Sequence, residues 1–91
     1  MEKYKEKTLM EWMEDIVAMD EATLKANGSC DHLTEDNRVL TGGDDWMKLE
    51  KISWMKDKIH TFTKNIETEA DQRAVEEANG FVERFYFGDE V

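Results

Sequence analysis

The sequence predicts an all-α domain of three helices, and three stretches carry that prediction. Between Asp45 and Ile66, Leu49, Ile52, Met55, Ile59, Phe62 and Ile66 recur at steps of three and four, lining one side of a 3.6-residue helix. Within residues 2–26, Leu9, Met13, Ile16 and Leu24 fall on one side, with Met10 and Val17 beside them. Between Glu69 and Phe87, Ala74, Val75, Ala78, Phe81, Val82 and Phe85 form a third stripe. There is no proline to interrupt any of them.

The first helix is expected over residues 2–26, with Asn27-Gly28 as a left-handed stop. Asp20 falls between Ile16 and Leu24 on the apolar stripe. It either sits at the stripe's edge in water, or is a partly buried carboxylate with a raised pKa or a lysine partner from the middle helix. Residues 29–43 break the helical period around the turn-like Glu35-Asp36-Asn37. An irregular or hairpin-like connection is expected there, packed by Leu33, Val39 and Leu40; a ligand loop is the alternative. Gly42-Gly43 releases the chain, and Asp44 and Asp45 place negative charge at the start of the middle helix.

That middle helix carries a second apolar strip, Met47 and Trp54, and an unusual charge. From Trp46 to Ile66, five lysines stand against Glu50 and Asp57, a net of +3, while the remaining residues carry 20 acids and 7 bases, a net of −13. Acidic flanking helices are therefore expected to clasp a basic one, with some of their carboxylates pairing with its lysines. For the third helix, Thr68 is the expected cap and Asp71 takes the Glu or Gln position of a capping box. The helix is read through Phe87 to a stop at Gly88, with Gly80 inside it. An α+β fold with residues 81–87 as an aromatic strand is the alternative, but the consecutive Phe85, Tyr86 and Phe87 break strict alternation.

At 91 residues the chain holds one domain, 1–91. Three Trp, four Phe, two Tyr and six Met supply a core despite 37% charged residues. Part of that apolar surface is expected between subunits, as a homo-oligomer. A net charge of −10 opposes direct binding to nucleic-acid phosphates or to an anionic membrane, and favours a basic protein partner. The single cysteine rules out an internal disulfide and points to a reducing, cytoplasmic setting. Residues 1–7, MEKYKEK, have no apolar region of the secretory type after them, and no stretch approaches the ~20 apolar residues of a membrane span.

Chemistry-bearing patterns are sparse. Asp57 and His60 sit three apart on the middle helix and Cys30-Asp31-His32 offers a second pair of donors, but neither has repeated metal-ligand spacing; no metal and no cofactor are expected. His60 is read as an exposed helix residue. Glu11 and Glu14 form an E-x-x-E pair that resembles the first half of the magnesium site in all-α nucleotide pyrophosphohydrolases. The E-x-x-D second half is missing from Asp45–Ile66, and no phosphate loop or nucleophile motif appears, so no enzymatic activity is expected.

The developed feature is acidity. Glu11, Glu14, Asp15 and Glu21 on the first helix, with Glu76, Glu77 and Glu83 on the last, are the expected partner-binding residues. They would imitate a phosphate backbone on a basic, nucleic-acid-binding protein, and the chain would act as a stoichiometric inhibitor or adaptor in the style of small phage counter-defence proteins. The stretch Glu77 to Phe87, EANGFVERFYF, resembles the terminal helix of small phage proteins that sequester cyclic-nucleotide signals as helical oligomers. That resemblance implies an alternative: a ligand sponge with its site near Phe81, Arg84 and Tyr86.

Overall fold

A computed structural model describes residues 7–88. In chain order they form α1 (Leu9–Ala18), α2 (Glu21–Ala26), β1 (His32–Leu33), β2 (Val39–Leu40), α3 (Asp44–Thr63) and α4 (Glu69–Phe87). The mostly helical expectation holds. Helix α3 packs against both α1 and α4, and α1 also meets α4. Between them lie Leu9, Met13 and Ile16 of α1, Ile52, Met55 and Ile59 of α3, and Val75, Ala78, Phe81 and Val82 of α4, all buried.

The single helix expected over residues 2–26 is two helices. Residues 1–6 lie outside the described part of the chain. Helix α1 begins at Leu9 because Thr8 and Glu11 close a capping box: the Thr8 hydroxyl accepts from the Glu11 amide, and the Glu11 carboxylate accepts from the Thr8 amide. Asp20 then ends one helix and starts the next. Its carboxylate accepts from the Thr23 amide at 2.8 Å, so the residue is the N-cap of α2 and stands in water. Short polar side chains that bond their own backbone favour such breaks over helix interiors.

Lys51 of α3 stabilises the same joint. Its ammonium donates to the Val17 carbonyl at 2.6 Å, placing a cation at the negative end of α1, whose own last turn has none. Asp20 lies near enough to Lys51 to feel its charge. Asp20 therefore takes the first of its two expected readings, at the stripe's edge in water. Lys51 bonds the Val17 carbonyl and forms no ion pair with Asp20, and the carboxylate pKa is lowered, not raised. Hydrogen bonds from Thr23 hold Asp20 below the usual carboxylate range.

Residues 29–43 do form a hairpin, antiparallel with His32 opposite Leu40 and Leu33 opposite Val39. Its turn closes from the Asn37 amide to the Thr34 carbonyl, with Asn37 left-handed at φ 64°. The expected packing fails in part: Leu33 is 64% exposed and Val39 62%, and only Leu40 turns partly inward. Gly43, at φ 92°, then caps α3 with no side chain of its own, a conformation L side chains rarely adopt. Its amide is satisfied by Glu21 of α2 at 2.9 Å.

Helix α3 ends at Thr63, three residues short of Ile66, where Asn65 turns back to donate to the Phe62 and Thr61 carbonyls. The capping box of Thr68 and Asp71 forms as expected. Helix α4 runs through Phe87 to a left-handed Gly88, which disposes of the alternative aromatic strand. No helix of the described residues is long and apolar enough to cross a membrane.

Candidate functional site

The acidic residues separate into two populations. On α1 and α2 most are engaged within the chain. Glu11 is held in its capping box, and the Thr8 amide keeps its pKa below the usual range. Asp15 pairs with Lys7. Glu21 accepts from the Gly43 amide and pairs with Lys25 at 3.1 Å, and its pKa is lowered by the first contact before the second. Among the described residues only Glu14 of this group has no hydrogen bond or ion pair. The lysines of α3 make no ion pair with these helices either. Lys58 instead lies over the Trp12 ring at 4.2 Å and Lys48 over Tyr86 at 5.7 Å.

Helix α4 differs. Glu76, Glu77 and Glu83 are exposed and, among the described residues, have no hydrogen-bonding or ionic partner. Glu69, Glu76 and Glu83 repeat every seven residues, so they stack into one ridge on the outer face. Phe87, 71% exposed, continues the ridge one turn beyond Glu83.

The three residues of the alternative ligand site do not converge. Phe81 is buried in the core. Arg84 lies on the outer face with Gly80, Glu83 and Phe87. Tyr86 lines a different groove, with Leu33, Leu40, Leu49 and Ile52, and meets the Phe87 ring edge-on at 5.1 Å.

A different cluster was not legible as one in the sequence. Glu50 of α3 is buried, with 2% of its surface exposed. One carboxylate oxygen lies 2.7 Å from His32 Nε2 and 3.8 Å from the Cys30 thiol; the other accepts from the Trp54 indole at 2.6 Å. The Trp46 indole donates to the Cys30 carbonyl at 2.9 Å. Tryptophans one turn before and one turn after Glu50 thus fix, respectively, the backbone of Cys30 and the carboxylate. The available signal was Trp46, Glu50 and Trp54 at four-residue steps, a carboxylate in line with two large rings. Beside this node opens a cleft of about 600 Å³, lined by Cys30, Glu50, Ser53, Trp54, Asp57 and His60 among others. Asp57 and the exposed His60 therefore border the cleft but are not part of the node.

Comparison with family models, with curated proteins and with solved structures gives no match, so the reading of the site rests on the chain's own residues.

Proposed function

We propose that this chain is a non-enzymatic binding domain that docks on a basic surface of a partner protein through the outer face of α4, as a stoichiometric inhibitor or adaptor. One observation carries the reading. Glu76, Glu77 and Glu83 stand exposed with no partner among the described residues, whereas Glu11, Asp15 and Glu21 are occupied within the fold. Unpaired charge on a rigid helix steers a complementary surface, and an exposed aromatic at its end supplies an anchor that charge alone does not. The net charge of −10 extends the same field over the molecule. The lone cysteine supports a reducing, cytoplasmic setting.

The test is capture from the native host at low and high salt, using wild type and a Glu76→Lys, Glu77→Lys, Glu83→Lys variant. Loss of the captured protein with the variant, and with rising salt, supports the reading. Capture that ignores both overturns it. Glu14→Lys is the control on α1, since reversing Glu11 would also break a helix cap.

Self-association belongs to the same proposal. Leu33, Leu40, Leu49, Ile52 and Tyr86 line an apolar groove that a second copy would cover. Sedimentation of wild type and Leu33→Glu decides it: a single monomeric species for both removes the oligomer.

A further inference from the structure

We infer that Cys30, His32 and Glu50 bind a divalent transition-metal ion of the zinc class, with a water from the adjoining cleft as fourth ligand. Their ligand atoms all lie within 4.8 Å of one another. In a tetrahedral zinc site with bonds of about 2.0 Å to N or O and about 2.3 Å to S, neighbouring ligand atoms are about 3.3–3.5 Å apart. The thiol-to-carboxylate distance of 3.8 Å is close to that edge, and the 2.7 Å between His32 and Glu50 has to open by about 0.6 Å. The remaining edge, from the Cys30 thiol to the His32 ring, lies within 4.8 Å and has to close by about 1.3 Å at most.

The charge balance suits the ion. A thiolate, a carboxylate and a neutral imidazole together neutralise a 2+ cation, leaving the buried Glu50 carboxylate in an uncharged ensemble. The surroundings also hold the ligands in place, as supporting hydrogen bonds around metal sites do. The Trp54 indole grips one oxygen of Glu50 and leaves the other for the metal. The Trp46 indole fixes the backbone of Cys30.

A hydrogen-bonded clamp between hairpin and helix would need only His32 and Trp54 to satisfy Glu50. It assigns no task to a thiol that lies exposed yet is brought to the same carboxylate oxygen. Asp57 is two helical turns from Glu50, about 10 Å along the axis, and so is outside the coordination sphere. That leaves the position on the cleft side to solvent.

The experiment uses the whole chain, stripped with a chelator and then titrated with zinc chloride by calorimetry and with cobalt chloride by absorption. Expected are one equivalent bound per chain, proton release, and a tetrahedral cobalt spectrum with a thiolate-to-cobalt charge-transfer band. Cys30→Ser should weaken zinc binding by about 100-fold or more and abolish that band while circular dichroism stays helical. Trp54→Phe should weaken it by about 10–100-fold with the band retained. Absence of saturable uptake, or a Cys30→Ser variant that binds as tightly as wild type, overturns the site. Because Cys30 is exposed, its substitution leaves the packed core intact and the result can be interpreted even if changes at His32 loosen the hairpin. The α4 ridge takes no part, so this site and the docking reading fail independently.

Discussion

The two halves of this molecule are held together by different forces. In the α1–α3–α4 core, Met13, Met55 and Ala78 are completely buried, and Leu9 and Ile16 almost so; the contacts are apolar and non-directional. The hairpin turns Leu33 and Val39 outward and is fastened to α3 through Glu50, which holds His32 directly, and through Trp46, which holds Cys30. A small chain has few large apolar groups, and this one places most of them between three helices. What remains adds two fully buried apolar side chains, Leu24 and Trp46, and is otherwise tied on by directional polar contacts, where one residue matters out of proportion to its size.

Removing a core side chain should show the first kind of dependence. Met55→Ala opens a cavity that both neighbouring helices line, and should destabilise the whole domain by about 2–5 kcal/mol in urea unfolding. Hairpin and helices should lose hydrogen-exchange protection together. Glu50→Ala is the contrasting case. It strands the Trp54 indole and the His32 ring, at about 1–3 kcal/mol, and the loss should be local. The Asn37 and Thr34 amides of the hairpin should exchange faster while amides of α1 and α4 keep their protection. If the two variants unfold with the same exchange pattern, the division into two differently held halves is wrong.

The helical half was the legible half. Periodicity located α3 and α4 because apolar side chains at three- and four-residue steps have one stable use, and Thr68, Asp71 and Gly88 marked α4's ends by the cap chemistry they perform. The Met19–Asp20 break was missed because the stripe runs on through it: Leu24 stays in phase with Ile16. Only the cap at Asp20 distinguishes two helices from one; the T-x-x-E box at Thr8 sets where the first begins. The Glu50 node was legible only in pieces, Cys30 and His32 as a pair of donors and Glu50 between two tryptophans, and its assembly was not. Its members come from a loop, a two-residue strand and a helix, separated by 18 to 20 residues, and no local spacing records a contact made by tertiary folding. The acidic face was legible as composition but not as availability, since hydrogen bonding decides which carboxylates remain free.

Two helix substitutions sharpen the picture of the core half. Thr68→Ala removes the hydroxyl that accepts from the Asp71 amide and should cost about 1 kcal/mol, read as a lowered urea midpoint with unchanged slope. Gly80→Ala should act in the opposite direction. Gly80 lies within α4, and an added Cβ would meet only the Arg84 guanidinium at 3.4 Å, the far end of a flexible side chain. Restricting the unfolded chain should then stabilise the domain by about 0.5–1 kcal/mol. A loss of stability instead would mean that the outer face of α4 is already covered, for example by a second copy.

The smallest effect concerns the joint between α1 and α2, where the apolar stripe continues but the backbone does not. Asp20 has a folded-state pKa below its ordinary value of 3.8, held down by Thr23's hydrogen bonds, with Lys51 adding a weaker pull. A carboxylate depressed in the folded state stabilises fully above its unfolded pKa, and that contribution disappears as pH falls through the folded value. Glu11 and Glu21 are depressed in the same way, so acid should weaken wild type progressively below about pH 4. Relief of the −10 net charge over the same range opposes the trend, which is why a single scan is ambiguous. Asp20→Asn separates the two. Asparagine caps a helix about as well as aspartate but does not titrate, so the melting temperature of the variant should fall less steeply than that of wild type between about pH 4 and pH 2. Parallel curves would mean that the cap acts through its geometry alone, and that Lys51 stabilises the joint by its bond to the Val17 carbonyl and not by its charge on Asp20.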